Sequence, residues 1–373
     1  MSTNSFVFPK FSKQNYYVES WYPVLADLTF KSWIFRFTQE EGDLLHRIVF
    51  DTIHNKPIIK KDQESLNHFI SKVSNFFEKV KNESPPNSGF FLRLGSRSLK
   101  DAVFYSETSL KRVTNLLYEK YLNEYKSLNL VTKDEKIKWV NQKSQMKDYF
   151  YMTECHVKAL KCNSIPDMFD LFFHSERIMI DLFRENKYQS PMFSLNFRLW
   201  DDRLTYQMEF RGFIYHHKFC ALTQYDNCLY FKHVYENKEK ILHSITDLYE
   251  NKVRPRMEAN CPMIEGNYVI DFGVIFNGTN VVDVIVIELN NFQMTTGASL
   301  FDWNKDIEIL IGKKDFEFRL IKENKFSEND YDNLLGPELI MLKNQVKAQI
   351  INDNKTFSEK YFKWIKKVVP EKA

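Results

Sequence analysis

The sequence has no CxxC pair, no apolar run near membrane-spanning length and little net charge, and each absence removes a class of function. Its five cysteines are Cys155, Cys162, Cys220, Cys228 and Cys261. Cys155-His156 with Cys162 has the look of half a zinc site, but no second pair follows at a workable spacing. The cysteines therefore read as thiols of a reducing, cytosolic setting. The longest apolar run, VVDVIVIEL, is interrupted by Asp283 and is far shorter than the roughly 20 residues a membrane span needs. The opening MSTNSFVFPKFSK lacks an apolar h-region, so no secretory signal is expected. Formal net charge is only +3, from 52 basic and 49 acidic residues, too balanced to predict a nucleic-acid binder, whose footprint would be a clustered basic face. A cytoplasmic monomer with neither membrane nor nucleic-acid partner is the expectation.

What the chain does have is length and aromatics. Its 373 residues suffice for two domains or one two-lobed domain. With 33 Phe and 19 Tyr against 10 Gly, the core is expected to be aromatic. Residues 16–37 mix aromatic and polar residues around Pro23, predicting a turn and then the strand LTFKSWIFRF. Leu66, Phe69, Ile70, Val73, Phe76 and Phe77 recur at helical spacing between Glu64 and Val80. That helix runs into the breaker ESPPNSG, and the strand GFFLRL follows. Residues 107–150 predict one or two exposed helices. IPDMFDLFFHSERIMIDLF reads as one helix opened by Pro166.

From Phe193 the pattern turns to strands: FSLNFRLW, YQMEFRGFIYHH, KFCALTQY, NYVIDFGVIF and VVDVIVIELNNF. A helix, ENKEKILHSITDLYENKV, separates the third from the fourth. Early helices, a later antiparallel sheet and no βαβ alternation predict an α+β protein rather than a Rossmann fold. The expected division is an N-terminal lobe over 1–190, with a helical insertion at about 105–155, and a β-rich lobe over 191–310. A helical basic tail is expected over 311–373.

Three constellations carry candidate chemistry. Asp271 ends the strand YVID, and Glu288 and Asn290, two apart, share one face of the next strand. With a hairpin across Asn277-Gly278, the three side chains meet on one side of a sheet. Mg²⁺ takes hard oxygen ligands of this kind, whereas the plainer reading is strand ends emerging into solvent. Second, Arg93 closes a strand before the turn GSRSLKDA, whose Ser96, Ser98, Lys100 and Asp101 suit a phosphate, although such turns are common and usually inert. Third, Glu209 and Arg211 alternate with apolar residues in MEFRGF. That alternation marks a solvent face or aims Arg211 at a phosphate, and Gln224 sits on the strand expected to pair with it. His216 and His217 fall at the hairpin turn.

Taken in order, these segments resemble one family. YVESWYPVLADLTFKS, FFLRLGSRSLKDA, ALKCNSIPDMFDLFFHSERIMIDL, FRLWDD, MEFRGFIYHHKFCALTQY, YVIDFGVI, VIELNNF and ASLFDW carry the likeness over about residues 16–304. The chain resembles the cell division cycle protein 123 family. The resemblance implies a two-lobed ATP-grasp-like fold with ATP between the lobes. It also implies a role as assembly factor of eukaryotic translation initiation factor 2, acting on the gamma subunit.

Carried over position by position, Arg93 stands where the family has a phosphate-facing lysine, with Ser96, Ser98, Lys100 and Asp101 in the same loop. The backbone at Phe197 and Arg198 matches the adenine-side linker. Arg211 and Gln224 match cleft positions, and Asp271, Glu288 and Asn290 match the metal ligands. Departures are Arg93 for lysine, Glu288 for aspartate and Asn291 where a proline commonly stands. One alternative is an ATP-grasp ligase that activates a carboxylate as an acyl phosphate, with Arg97, Lys100 or Arg203 holding the carboxylate. Another is a microbial mimic of the assembly factor.

Overall fold

Apolar spacing and end caps account for most of the elements in the computed structural model, which describes residues 6–9, 12–188, 190–324, 326 and 328–352. In chain order these begin with α1 (Val18–Leu25), β1 (Ser32–Arg36), α2 (Gln39–Ile53), α3 (Lys60–Asn82) and β2 (Phe90–Leu94). Five helices follow: α4 (Glu107–Leu128), α5 (Lys133–Val140), α6 (Met146–Lys158), α7 (Ile165–Phe173) and α8 (Glu176–Glu185). Next come β3 (Ser194–Leu199), β4 (Glu209–Tyr215), β5 (Lys218–Gln224), α9 (Lys232–Glu236), α10 (Lys238–Leu248) and α11 (Arg254–Asn260). The last are β6 (Tyr268–Asn277), β7 (Asn280–Asn291), α12 (Ile307–Leu310), β8 (Glu317–Arg319) and α13 (Glu328–Ile351). The protein is mixed α+β, as the sequence predicted.

The chain divides into two compact units, each built from two chain segments: 1–36 with 194–324, and 37–193 with 325–373. The first holds a five-stranded sheet in the order β7-β6-β4-β5-β8. Its pairings are antiparallel except β5 with β8, and β1 pairs antiparallel with β3. One sheet face, through Phe210, Leu222, Ile270, Phe272 and Leu289, packs on Trp21, Ile241, Ile245, Tyr249 and Met257 from the helices. The other carries Phe213, Ala221 and Val269 against Phe292, Phe301 and Trp303. The β4–β5 hairpin turns at His216 and His217, both with positive φ (47° and 61°). That is the backbone of a tight two-residue hairpin turn. His216 N–H donates to Asn267 Oδ1 at 2.9 Å, and His217 N–H donates to the Gly266 carbonyl at 3.0 Å. At the β6–β7 turn, Gly278 has φ +61°, a conformation that glycine adopts without steric cost.

In the second unit, α3 buries Leu66, Phe69, Val73 and Phe77, the stripe read from its spacing. Thr38 opens α2 with a reciprocal cap to Glu41.

Four sequence expectations change. The WYP segment is helical, because Val18, Trp21 and Leu25 form a buried stripe that outweighs Pro23. IPDMFDLFFHSERIMIDLF is two helices, since Ser175 accepts a hydrogen bond from Ile178 N–H and starts α8 anew. Nor is α4 an exposed insertion: Leu110, Val113, Leu117 and Tyr121 are fully buried, at i, i+3 and i+4 spacing, among α6, α7 and α13. The span 311–373 is not one tail, because β8 joins the first unit's sheet while Leu342, Val346 and Ile350 of α13 lie in the second unit's core. Residues 353–373 lie outside the described residues.

If α4 is core, Leu117→Ala will cost about 2–5 kcal/mol in urea denaturation, whereas Lys126→Ala on its outer face will stay within about 0.5 kcal/mol. Equal, small effects would return α4 to the status of a surface insertion.

Candidate functional site

Strand register builds the site. Arg211 on β4 lies opposite Asp271 on β6, and Asp271 lies opposite Glu288 on β7, giving a row across three neighbouring strands. Asn290 comes two residues after Glu288 and pairs with Val269, so it shares that face. Arg211 donates Nε to Asp271 Oδ1 and Nη2 to Oδ2, both at 2.8 Å. Asn290 Nδ2 donates at 3.4 Å to Asp271 Oδ2 and to Glu288 Oε1. The predicted trio therefore does meet, and Arg211 joins it.

Burial of the guanidinium pulls its pKa down. The charge and hydrogen bonds of Asp271, aided by Tyr225 and Glu288, outweigh that and hold the pKa well above its ordinary value. Asp271 is 1% exposed, while Glu288 and Asn290 are half-buried. Two further groups complete the site and had no distinct mark in the sequence. The Gly297 carbonyl accepts from Arg211 Nη1 at 2.5 Å, and the Tyr225 ring lies 4.8 Å from the guanidinium carbon.

The other candidate residues of this unit have different tasks. Gln224 pairs with Phe210, which alternates with Arg211, so its side chain belongs to the opposite face. There it donates to the Asp226 and Leu229 carbonyls at 2.7 and 2.8 Å and accepts from Ile321 N–H at 3.0 Å. Phe197 and Arg198 lie within β3, opposite Trp33 and Ser32. Arg198 is 1% exposed and donates to Thr29 Oγ1 and to the Ile287 carbonyl, each at 2.7 Å. Thr29 in turn donates to the Val286 carbonyl at 2.6 Å, so Arg198 ties β3 to the edge strand β7.

In the second unit, Arg93 is buried near the end of β2 and donates Nε to the Leu94 carbonyl at 3.2 Å. A backbone bridge between Arg93 and Ser98 closes the loop. Ser96, Ser98 and Lys100 are half-buried on it. Arg97 turns to α8, with Nε 3.1 Å from Asp181 Oδ2. Asp101 accepts from Ser175 Oγ at 2.8 Å and from Arg177 N–H at 3.0 Å, which anchors the loop to the start of α8. Asp181 had no mark in the sequence as the partner of Arg97, from which it is 84 residues away.

Known proteins supply the context. A family model described as D123 matches residues 135–339, more than half of the chain. The chain belongs to the D123 family. The match contains the whole Arg211–Asp271–Glu288–Asn290 row. A relative from Vanderwaltozyma polyspora, named translation initiation factor eIF2 assembly protein, is 28% identical over 182 residues, 44% of this chain and 46% of that protein. Cell division cycle protein 123 of Candida glabrata is 28% identical over 175 residues, with the same coverages. The chain thus spans about half the length of these two yeast relatives. An eIF2 assembly protein from Dictyostelium discoideum is 24% identical over 342 residues, 87% of this chain and 82% of that one. The solved structure of Cdc123 from Schizosaccharomyces pombe shares the fold, with a TM-score of 0.52 and 18% identity over 85% of this chain and all of that one.

The donor set fits a hard divalent cation. Asp271 and Glu288 supply two carboxylates, and Asn290, whose Nδ2 faces them here, supplies a third oxygen once its amide is turned over, the usual protein share for Mg²⁺ when phosphate and water supply the rest. Among the described residues, no three His, Cys, Asp or Glu side chains form a cage by themselves.

Asp271→Asn leaves the buried Arg211 without its carboxylate partner and will cost about 3–5 kcal/mol. Glu288→Gln, half-buried and outside that bidentate pair, will cost less than about 1 kcal/mol. Urea unfolding of both variants checks the difference, and equal costs would deny the ion pair its structural role.

Proposed function

We propose that this D123-family chain is a Mg-ATP-binding assembly factor for eukaryotic translation initiation factor 2, docking its gamma subunit. The observation that carries the reading is the row of Asp271, Glu288 and Asn290 beside Arg211, inside the family match. Relatives named for eIF2 assembly support the partner. In this reading the fold is of ATP-grasp type, and Asp271, Glu288 and Asn290 hold the Mg²⁺. The metal, when bound, neutralises triphosphate charge. Arg93, Ser96, Ser98 and Lys100 are the phosphate-side groups of their loop. A buried cation beside backbone N–H groups and hydroxyls is chemistry that suits phosphate oxygens. Asp101 and Gln224 act through structure, as loop anchor and sheet tie, rather than by contact with nucleotide.

An ATP-grasp ligase would need a basic pocket for its carboxylate substrate. Two of the three cations read for that purpose have carboxylate partners within the chain. Arg97 pairs with Asp181, and Arg203 pairs with Asp201 and Asp283. Binding without turnover is therefore the better reading. Any docking by the WYP segment falls to its more exposed side chains, since Trp21 itself is 1% exposed and packs in the core.

Calorimetric titration will show one Mg-ATP site, weakened at least about tenfold by Glu288→Gln, the loss of one close charge interaction. Eukaryotic lysate passed over the immobilised protein will yield eIF2, and the isolated gamma subunit will compete for it. Undiminished affinity in Glu288→Gln would remove the metal assignment, and a lysate that never yields eIF2 would remove the partner.

A further inference from the structure

The acidic row already contains a cation. Arg211 engages both oxygens of Asp271 at 2.8 Å, donates to the Gly297 carbonyl at 2.5 Å and lies against Tyr225. These contacts hold a planar, permanently charged fork in one orientation on the more buried of the two carboxylates. We propose that Arg211 is a specificity-determining residue that denies the row to a bare divalent cation, so that the metal enters only with a polyphosphate.

The reasoning is electrostatic and rests on the Mg-ATP reading above. Two carboxylates and one guanidinium leave the row with a single net negative charge. A divalent ion arriving alone must share Asp271 with the guanidinium, and repulsion between them is weakly screened where water is largely excluded. Polyphosphate oxygens around the same ion offset both positive charges, and the repulsion becomes attraction. Glu288, half-buried and held by Asn290 Nδ2 at 3.4 Å, is the more accessible arm. Turning the Asn290 amide over presents its oxygen to the same point. Nothing in this scheme requires Arg211 to leave Asp271. It acts from where it stands, as counter-charge and as a splint for the carboxylate.

Mn²⁺ serves as the probe, because the spin resonance signal of free Mn²⁺ falls as the ion binds; protein-free titrations with ATP give the part of the fall due to the Mn–ATP complex, and binding to the protein is read as the further loss above it. Wild type, Arg211→Gln and Arg211→Lys are each titrated with Mn²⁺ alone and with Mn²⁺ plus ATP. Wild type is expected to hold Mn²⁺ with ATP and to hold Mn²⁺ alone far more weakly. Arg211→Gln is expected to tighten Mn²⁺ alone by about tenfold or more, the scale of one close charge pair. Arg211→Lys, a point charge that cannot hold both oxygens, is expected to tighten it by less. If circular dichroism shows Arg211→Gln unfolded, the lysine variant and the ATP dependence of wild type decide by the same signs. Variants that gain no affinity for Mn²⁺ alone, beside a wild type that holds Mn²⁺ with ATP, overturn this inference only. A wild type that holds Mn²⁺ alone as tightly as with ATP also overturns it only. A wild type that holds Mn²⁺ in neither titration overturns the Mg-ATP reading and this inference together.

Discussion

The buried ion pair between Arg211 and Asp271 constrains how the central strands of the first unit's sheet pair. Both residues lie inside the sheet, on neighbouring strands, and their two 2.8 Å hydrogen bonds demand that β4 and β6 stay in one register. A slip of one residue would turn Asp271 to the opposite face and drive Phe272 out of the core there. Such a pair need not add net stability, since desolvation opposes the attraction. An alternative register that leaves either charge buried alone is strongly disfavoured. The ion pair thus specifies the β4–β6 register, while the β6–β7 hairpin brings Glu288 and Asn290 to Asp271.

The two sheet faces then divide the labour. One face is closed by α1, α10 and α11 over a continuous apolar cluster. The other is apolar only in part, through Phe213, Val269, Phe292 and Trp303, and its remaining positions carry the charged row. A sheet face without full apolar cover is where polar side chains can gather without each being matched by a helix. The buried and half-buried polar residues outside the row have a different use. Arg198, Gln224 and Thr29 link backbone carbonyls and amides of separate segments, which satisfies groups that would be costly to leave unpaired. In the second unit Asp101 and Arg97 play the same part for the loop after β2.

Much of this was legible in the linear sequence. The hairpins of β4–β5 and β6–β7, the helix over Lys60–Asn82 and the shared face of Glu288 and Asn290 follow from periods of 2 and 3.6 with turn residues between. The helical WYP segment and the buried α4 were not legible. Their deciding partners come from distant segments, and no local window shows which face of a Tyr- and Lys-rich helix will be covered. The face that Gln224 takes depended likewise on its pairing with another strand. Its type suits a cleft, but its strand parity points it to the other face.

Local periodicity and turn chemistry, read along the chain, sufficed for most element types, the two hairpins, the α+β class and the set of oxygen-bearing side chains able to meet on a sheet. Which charges stand together follows from packing in three dimensions. It joined Arg211 to Asp271 across 60 residues, Gly297 to Arg211 across 86, and β8 to β5. Charge pairing depends on distance in space, and a chain folded through segments from both of its halves brings residues together in an order the sequence does not contain.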